Sequence, residues 1–246
     1  MSQVKRAIDK LTLNKALGPD EIFNHILKRC FSSLQHHIFA LAEQSMTIGH
    51  FPQPFRETIT LVLWKPNKLN YTKPNAYRPI ALESTLGKVL ESIIADHLSY
   101  ICETFNLLPK HHFGGRPRRT TKDALLILSE SIYQAWKEGN VFSAILMDVS
   151  GAFNNVHYTQ LIHNMQKRRI PTEITRWVLS FLSDRTTRMR FNGITTDLIP
   201  TPTGIPQGSP LSPILYVLYN TELLYIPSKR RKQLRLRFID DILYSV

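Results

Sequence analysis

Three aspartates stand where carboxylates are costly. Asp148 closes the apolar run 141–147, and Asp240 with Asp241 separates the apolar runs 234–238 and 242–246. A carboxylate at the rim of a core costs free energy unless a cation or a hydrogen-bond donor answers it. Carboxylates gathered from distant parts of a chain suit metal-dependent phosphoryl transfer, in which two Mg²⁺ ions sit roughly 3.5–4 Å apart. One ion activates the attacking oxygen and the other stabilises the leaving group. The bland alternative is that Asp148 starts a turn and that Asp240 and Asp241 are a polar hairpin tip. Those residues by themselves leave both readings open.

The elements that must position the aspartates follow from periodicity and turn signals. Val4, Ile8 and Leu11 recur at helical spacing before the turn Gly18-Pro19-Asp20, and more helix is expected over 22–48. The β-branched and aromatic run 58–64 predicts a strand, followed by a loop over 65–78 rich in proline and asparagine. A helix over 86–101 would bury Ile93, Ile94, Leu98 and Ile101. The stretch 109–119 is a basic, glycine-containing loop, and Thr120 with Asp123 predicts an N-cap for a helix to about Trp136. A buried strand is expected over 141–147, then helices over 156–165 and 173–182. Asn192-Gly193 between two strand-like runs signals a hairpin. A Pro and Gly loop over 200–208 leads into an apolar helix over 211–224, and a second hairpin carries the acids at its tip. The pattern is α+β, with a boundary near Asn140 between a helical, basic front (1–140) and a sheet-bearing back (141–246).

Bulk composition narrows the partners. The 246 residues carry 31 Lys and Arg against 19 Asp and Glu, a net charge of +12, so polyanions and above all nucleic acid are attracted. The alternative is a basic protein with no polyanionic ligand. Hydrophobic residues make up 43%, an ordinary globular share that excludes a disordered or fibrous chain. No apolar run approaches the roughly 18 residues of a membrane span, and the N-terminus lacks the apolar centre of a secretion signal. An intracellular location, cytoplasm or nucleus, is expected. Cys30 and Cys102 are far apart, and no His or Cys spacing supports a zinc site.

Six ordered motifs then point to a family. They are NKALGPDEI (14–22), YRPIALESTLGKVLE (77–91), HHFGGRPRRTTKDAL (111–125), AILMDVSGAFNNV (144–156), GIPQGSPLSPIL (204–215) and RFIDDILY (237–244). Together they resemble a reverse transcriptase, most closely the non-LTR (LINE-type) retrotransposon enzymes. The resemblance implies a right-hand polymerase fold, with fingers in 1–140 and part of a palm in 141–246. It implies RNA-directed DNA synthesis from an RNA template, a DNA primer and dNTPs, with Mg²⁺ as the pair of ions and Mn²⁺ as the substitute. Asp148, Asp240 and Asp241 resemble the family's metal-binding, catalytic aspartates. Phe153 resembles the aromatic that excludes a ribose 2′-hydroxyl, and Gln207 and Gly208 the loop that meets nucleotide and template. Lys65 and Arg78 resemble the finger residues on the triphosphate, where a guanidinium fork suits phosphate oxygens. Arg116, Arg118 and Arg119 would face template backbone, and the run Lys229, Arg230, Arg231 and Lys232 would add to it.

Each assignment has a plainer counterpart. Phe153 could be a core aromatic, and the basic residues could be a solvated face. The sequence also departs from the pattern. Ile239 is bulkier than the family's usual Ala or Val, His157 replaces an acid or small residue, and Gly114-Gly115 replaces the commoner Gly-Phe. The thumb motifs of the family have no counterpart here, which leaves a second reading: a catalytically silent, nucleic-acid-binding remnant. An intron maturase-like protein would share the palm motifs and add an RNA-binding helical domain.

Overall fold

The computed structural model describes residues 2–224 and 234–245. Its helices are α1 (Ser2–Asp9), α2 (Asn24–Arg29), α3 (Phe31–Ile48), α4 (Thr85–Thr104), α5 (Thr121–Lys137), α6 (Tyr158–Lys167), α7 (Thr172–Leu182) and α8 (Ser212–Asn220). Its strands are β1 (Glu57–Trp64), β2 (Tyr77–Leu82), β3 (His112–Phe113), β4 (Ala144–Met147), β5 (Thr186–Phe191), β6 (Ile194–Thr195), β7 (Ile199–Pro200), β8 (Arg235–Phe238) and β9 (Asp241–Ser245). None of the described helices is long and apolar enough to cross a membrane.

Two compact units are present, and each is made of two chain stretches. Unit 1 comprises Met1–Asp96 and Phe153–Ser212; unit 2 comprises His97–Ala152 and Pro213–Val246. The expected boundary near Asn140 cuts the chain only once, so fingers and palm become names to be proposed below.

Unit 1 is built on the sheet β2-β1-β5-β6, with β7 also on β5. The β1–β2 pair is antiparallel and the β1–β5 pair parallel. Strand β2 corrects the loop expected over 65–78: Tyr77 and Arg78 already pair with Trp64 and Leu63, because β1 offers a free edge that the sequence pattern does not reveal. The Asn192-Gly193 turn forms as expected, both residues at positive φ (48° and 80°), and joins β5 to β6. An aromatic core holds the helices: Phe51 meets Trp177 and Phe181 edge-on at 5.1 and 5.2 Å, and the Trp177 indole donates to Ser45 Oγ at 2.8 Å.

Unit 2 is built on the sheet β3-β8-β9-β4. Helix α5 lies against it, with Ala124, Ile127 and Leu128 packed on Phe113, Leu236 and Leu243. The predicted cap is a full capping box: Thr120 Oγ1 accepts from Asp123 N–H, and Asp123 answers the Thr120 N–H at 2.7 Å. The short strand β3, inside the stretch read as loop, pairs in parallel with β8. The buried strand expected over 141–147 is corrected in length and exposure. Only Ala144–Met147 is strand and all four residues are exposed, Leu146 at 77%. The reason is position: β4 is the sheet's edge, bonded only to β9.

Candidate active site

The aspartates come together through strand register. In unit 2, β4 runs antiparallel to β9, and its last pair is Met147 with Ile242. One step further along the two strands stand Asp148 and Asp241. Strand β8 returns to β9 through the two-residue turn Ile239-Asp240, with Phe238 paired to Asp241. Three carboxylates from two separate regions thus share one end of one sheet. Asp241 is the first residue of β9 and not part of the turn, a small correction to the expected tip.

The turn is tightly built. Ile239 adopts a positive φ of 53°, a strained conformation for a β-branched residue. Its N–H donates to Phe113 O at 3.2 Å, and its carbonyl accepts from Arg237 Nε at 3.3 Å. Arg237 is fully buried below, its Nη1 donating to Asn220 O at 2.8 Å. Burial first, and then the negative fields of Asp241 and Asp148, push the Asp240 carboxyl above its ordinary value. A site that accumulates mutually repelling carboxylates gains when a cation arrives.

The donor chemistry fits a hard divalent ion. Among the described residues no group of three or more His, Cys, Asp or Glu side chains is placed to hold a metal ion by itself, Asp148, Asp240 and Asp241 included. Mg²⁺ does not require such a group, since it keeps waters and takes one or two carboxylates together with substrate phosphates. Asp148 and Asp241 are exposed and so remain open to such a ligand. Beside them a cleft of about 420 Å³ runs between α5 and the sheet, lined by Leu125, Leu128, Met147, Asp148, Asp241 and Leu243.

The basic loop divides by role. Arg116 is buried and forms a two-pronged ion pair with Glu103, at 2.7 and 2.9 Å, while Nη1 donates to the carbonyls of Pro109 and His112. This corrects the expectation that it faces template: its donors are taken up inside the unit. Arg118 is exposed at a positive φ of 58°. Arg119 is half-buried, donates to Lys110 O at 2.7 Å and lies over the Phe113 ring. The run Lys229, Arg230, Arg231 and Lys232 lies outside the described residues.

In unit 1 the loop 204–208 joins Phe153 to β2, the strand that also carries Arg78. Ile205 N–H donates to Phe153 O at 2.8 Å, and Gly204 N–H to Val156 O at 2.9 Å. Two residues on, Ala81 N–H of β2 donates to Gln207 O at 2.9 Å. Gly208 has φ 138°, and a Cβ there would fall 2.6 Å from Ala81 O, so glycine is what lets the loop lie on the strand. Arg78 is exposed on the same strand, on the face it shares by alternation with Ile80. Lys65 follows β1, and its Nζ donates to Asn75 O at 3.0 Å.

Sequence reasoning missed the aromatic group that shapes the loop between β1 and β2. Trp64 contacts Tyr71, Tyr77 and Phe191 with ring centroids 5.0, 5.1 and 5.7 Å apart. The Tyr71 hydroxyl donates to Lys65 O and that of Tyr77 to Tyr71 O. The signal was present as aromatics flanking the Pro and Asn loop. It also missed Arg237, a cation inside a strand next to two acids.

Comparison with known proteins bears on the family and the fold. Residues 65–246 match the family described as reverse transcriptase (RNA-dependent DNA polymerase). The chain is 30% identical to the probable RNA-directed DNA polymerase from transposon BS of Drosophila melanogaster, over 100% of this chain and 28% of that one. It is 27% identical to the RNA-directed DNA polymerase from mobile element jockey of the same species, over 91% of this chain and 24% of that one. The chain therefore spans about a quarter of the length of these curated relatives. Among solved structures, apo telomerase from Candida tropicalis superposes with a TM-score of 0.56 at 12% identity, covering 87% of this chain and 43% of that one, a likeness of right-hand polymerase fold. A form of the same enzyme truncated from the C-terminal domain gives 0.55 at 12% identity, covering 79% and 44%. With the aspartates at one sheet end and the motifs in order along the sequence, the chain belongs to the reverse transcriptase family, in its non-LTR retrotransposon branch.

Proposed function

We propose that this chain carries the nucleotidyl-transfer centre of an RNA-directed DNA polymerase, with Asp148, Asp240 and Asp241 as ligands for Mg²⁺, or Mn²⁺ in its place. The observation that carries this reading is the register of β4 on β9, which sets Asp148 beside Asp241 with Asp240 in the adjoining turn. Two such ions, when bound, lower the pKa of a primer 3′-hydroxyl and neutralise charge on the departing pyrophosphate. The chain's own part is to present three acceptor carboxyls at one sheet end and to hold Arg237 below the turn. In unit 1, Arg78 offers a fork of donors for phosphate oxygens and Lys65 a point charge. Gln207 and Gly208 lie along β2 where a nucleotide base and its template partner would stack, and Phe153 stands for exclusion of a 2′-hydroxyl. The partners are an RNA template, a DNA primer and a dNTP, with Arg118 and Arg119 on the backbone. Fingers and palm are the proposed names for the regions 1–140 and 141–246.

The test is primer extension on poly(rA) with oligo(dT) and Mg²⁺, run on this chain and on a longer version that includes more of the element's reading frame. Extension by the longer protein, lost by several decades in Asp148→Asn with template binding intact, supports the reading. Salt-sensitive binding with no extension by either protein favours the silent nucleic-acid-binding remnant.

A further inference from the structure

The loop that bears Gln207 and Gly208 is anchored to a buried pair of acids. Glu83 follows β2 and Glu91 lies inside α4; they are 1% and 0% exposed. The Ser209 hydroxyl donates to Glu91 Oε2 and itself accepts from Leu211 N–H at 3.0 Å. The next contact of the loop is the Ala81 N–H to Gln207 O bond, two residues before Glu83. One fixed point of the loop therefore ends on the Glu91 carboxyl, and the other lies on the strand that leads into Glu83.

The charges around that pair do not balance. Arg185 is the buried cation, its Nη2 2.8 Å from Glu83 Oε1 and its Nη1 bonded to Phe181 O. Half-buried Lys88 acts on Glu83 from one helical turn before Glu91, and the loop contributes the Ser209 hydroxyl. Two carboxylates against one buried guanidinium would leave a naked charge in the core, at heavy desolvation cost. The oxygens report the same problem: Glu83 Oε2 and Glu91 Oε1 are buried without a donor, although the two carboxyls face each other. A single proton between them converts two orphaned acceptors into one hydrogen bond.

We propose that Glu91 is a positioning residue for the nucleotide loop, acting as a neutral carboxylic acid that donates to Glu83 and accepts from Ser209, and so fixes Gln207 and Gly208 against β2. Glu83 keeps Arg185 as its counter-ion, so the proton resides on Glu91. Burial first and the Glu83 charge second push the Glu91 carboxyl well above the ordinary carboxylate range, against the weaker pull of Arg185 and Ser209. The consequence for polymerisation rests on the proposed role of Gln207 and Gly208; the proton itself does not.

The experiment compares the full chain with Glu91→Gln, whose amide can donate and accept in the same two directions, and with Glu91→Ala. Three readouts are taken: the infrared band of a protonated carboxyl, amide exchange at Ala81 and Leu211, and denaturation midpoints from pH 4.5 upward. The band should be present in the parent at neutral pH and absent from both variants. Exchange at Ala81 and Leu211 should stay slow in Glu91→Gln and quicken at least tenfold in Glu91→Ala. A raised folded pKa means that stability present below the unfolded value of 4.5 is lost as pH rises, so the Gln variant should gain on the parent above pH 4.5. A parent without the band, a midpoint difference flat with pH, or Glu91→Gln exchanging as fast as Glu91→Ala would each overturn the proposal. If Glu91→Ala does not fold, the band and the Gln variant decide alone. Unchanged dNTP affinity in Gln207→Ala would instead sink the nucleotide reading of the loop while leaving the proton on Glu91 standing.

Discussion

A Cβ added to Gly114 would lie 2.7 Å from Ile239 Cγ1, so the glycine of the basic loop and the bulky residue of the aspartate turn occupy each other's space. Gly114 is at φ 72° and Ile239 at φ 53°, and the Ile239 N–H is held by Phe113, the residue before the glycine. The two positions act as one steric unit that aims Asp240 and Asp241.

Gly114→Ala should therefore destabilise the protein by about 1–3 kcal/mol, through both the positive φ and the clash. Ile239→Gly in the same chain removes Cγ1 and relieves its own backbone strain, and should recover part of the loss. A double-mutant cycle by urea denaturation measures the coupling; additive effects would show that the two residues do not share the space.

The arginines of the basic loop should separate by readout. Arg116→Ala strands Glu103 and two carbonyls, so the unfolding free energy should fall on the order of 3 kcal/mol. Arg118→Ala should change stability by less than about 0.5 kcal/mol and lower the slope of log binding constant against log salt by about one. Titration of RNA at several salt concentrations distinguishes them, and an unchanged slope in Arg118→Ala removes it from the template surface.

His112 is fully buried and neither ring nitrogen has a partner. Burial first, then the Arg237 and Arg116 charges, push its pKa down to about 3. The unfolded imidazole takes a proton below about 6.5 while the folded one does not, so stability is lost as pH falls from 6.5 toward 3. The loss should approach about 1.4 kcal/mol per pH unit. His112→Phe keeps an aromatic in the space and should flatten that slope; an unaltered acid limb would mean that other groups control it.

Phe153 is half-buried and its carbonyl is tied to Ile205. Phe153→Val leaves that backbone bond in place and opens space beside the sugar. In a version of the protein that extends primers, the preference for dNTP over rNTP should fall at least tenfold, measured as the ratio of incorporation efficiencies. An unchanged ratio with retained activity makes Phe153 a packing residue.

The sequence alone determined the local grammar of this protein. The Thr120–Asp123 cap, the Asn192-Gly193 turn and the helical burial of Ile93, Ile94 and Leu98 depend on neighbours three or four residues away, and those neighbours are visible in the string. The three aspartates stood out only once the surrounding motifs were read with them, and it is the register of β4 on β9 that brings them to one sheet end. Strand β2 was not legible, since Tyr77 and Arg78 become strand only when the edge of β1 is available to them. The exposure of β4 was equally hidden: an apolar run reads as buried, but its burial depends on which strand takes the sheet's edge. Tertiary structure alone decided that Arg116 serves Glu103 rather than solvent, and that Glu83, Glu91, Arg185 and Ser209 meet. A charged side chain looks the same in sequence whether its partner is water or a carboxylate many residues away. Only the fold supplies the partner and removes the water, and that exchange sets both the cost of the charge and its use.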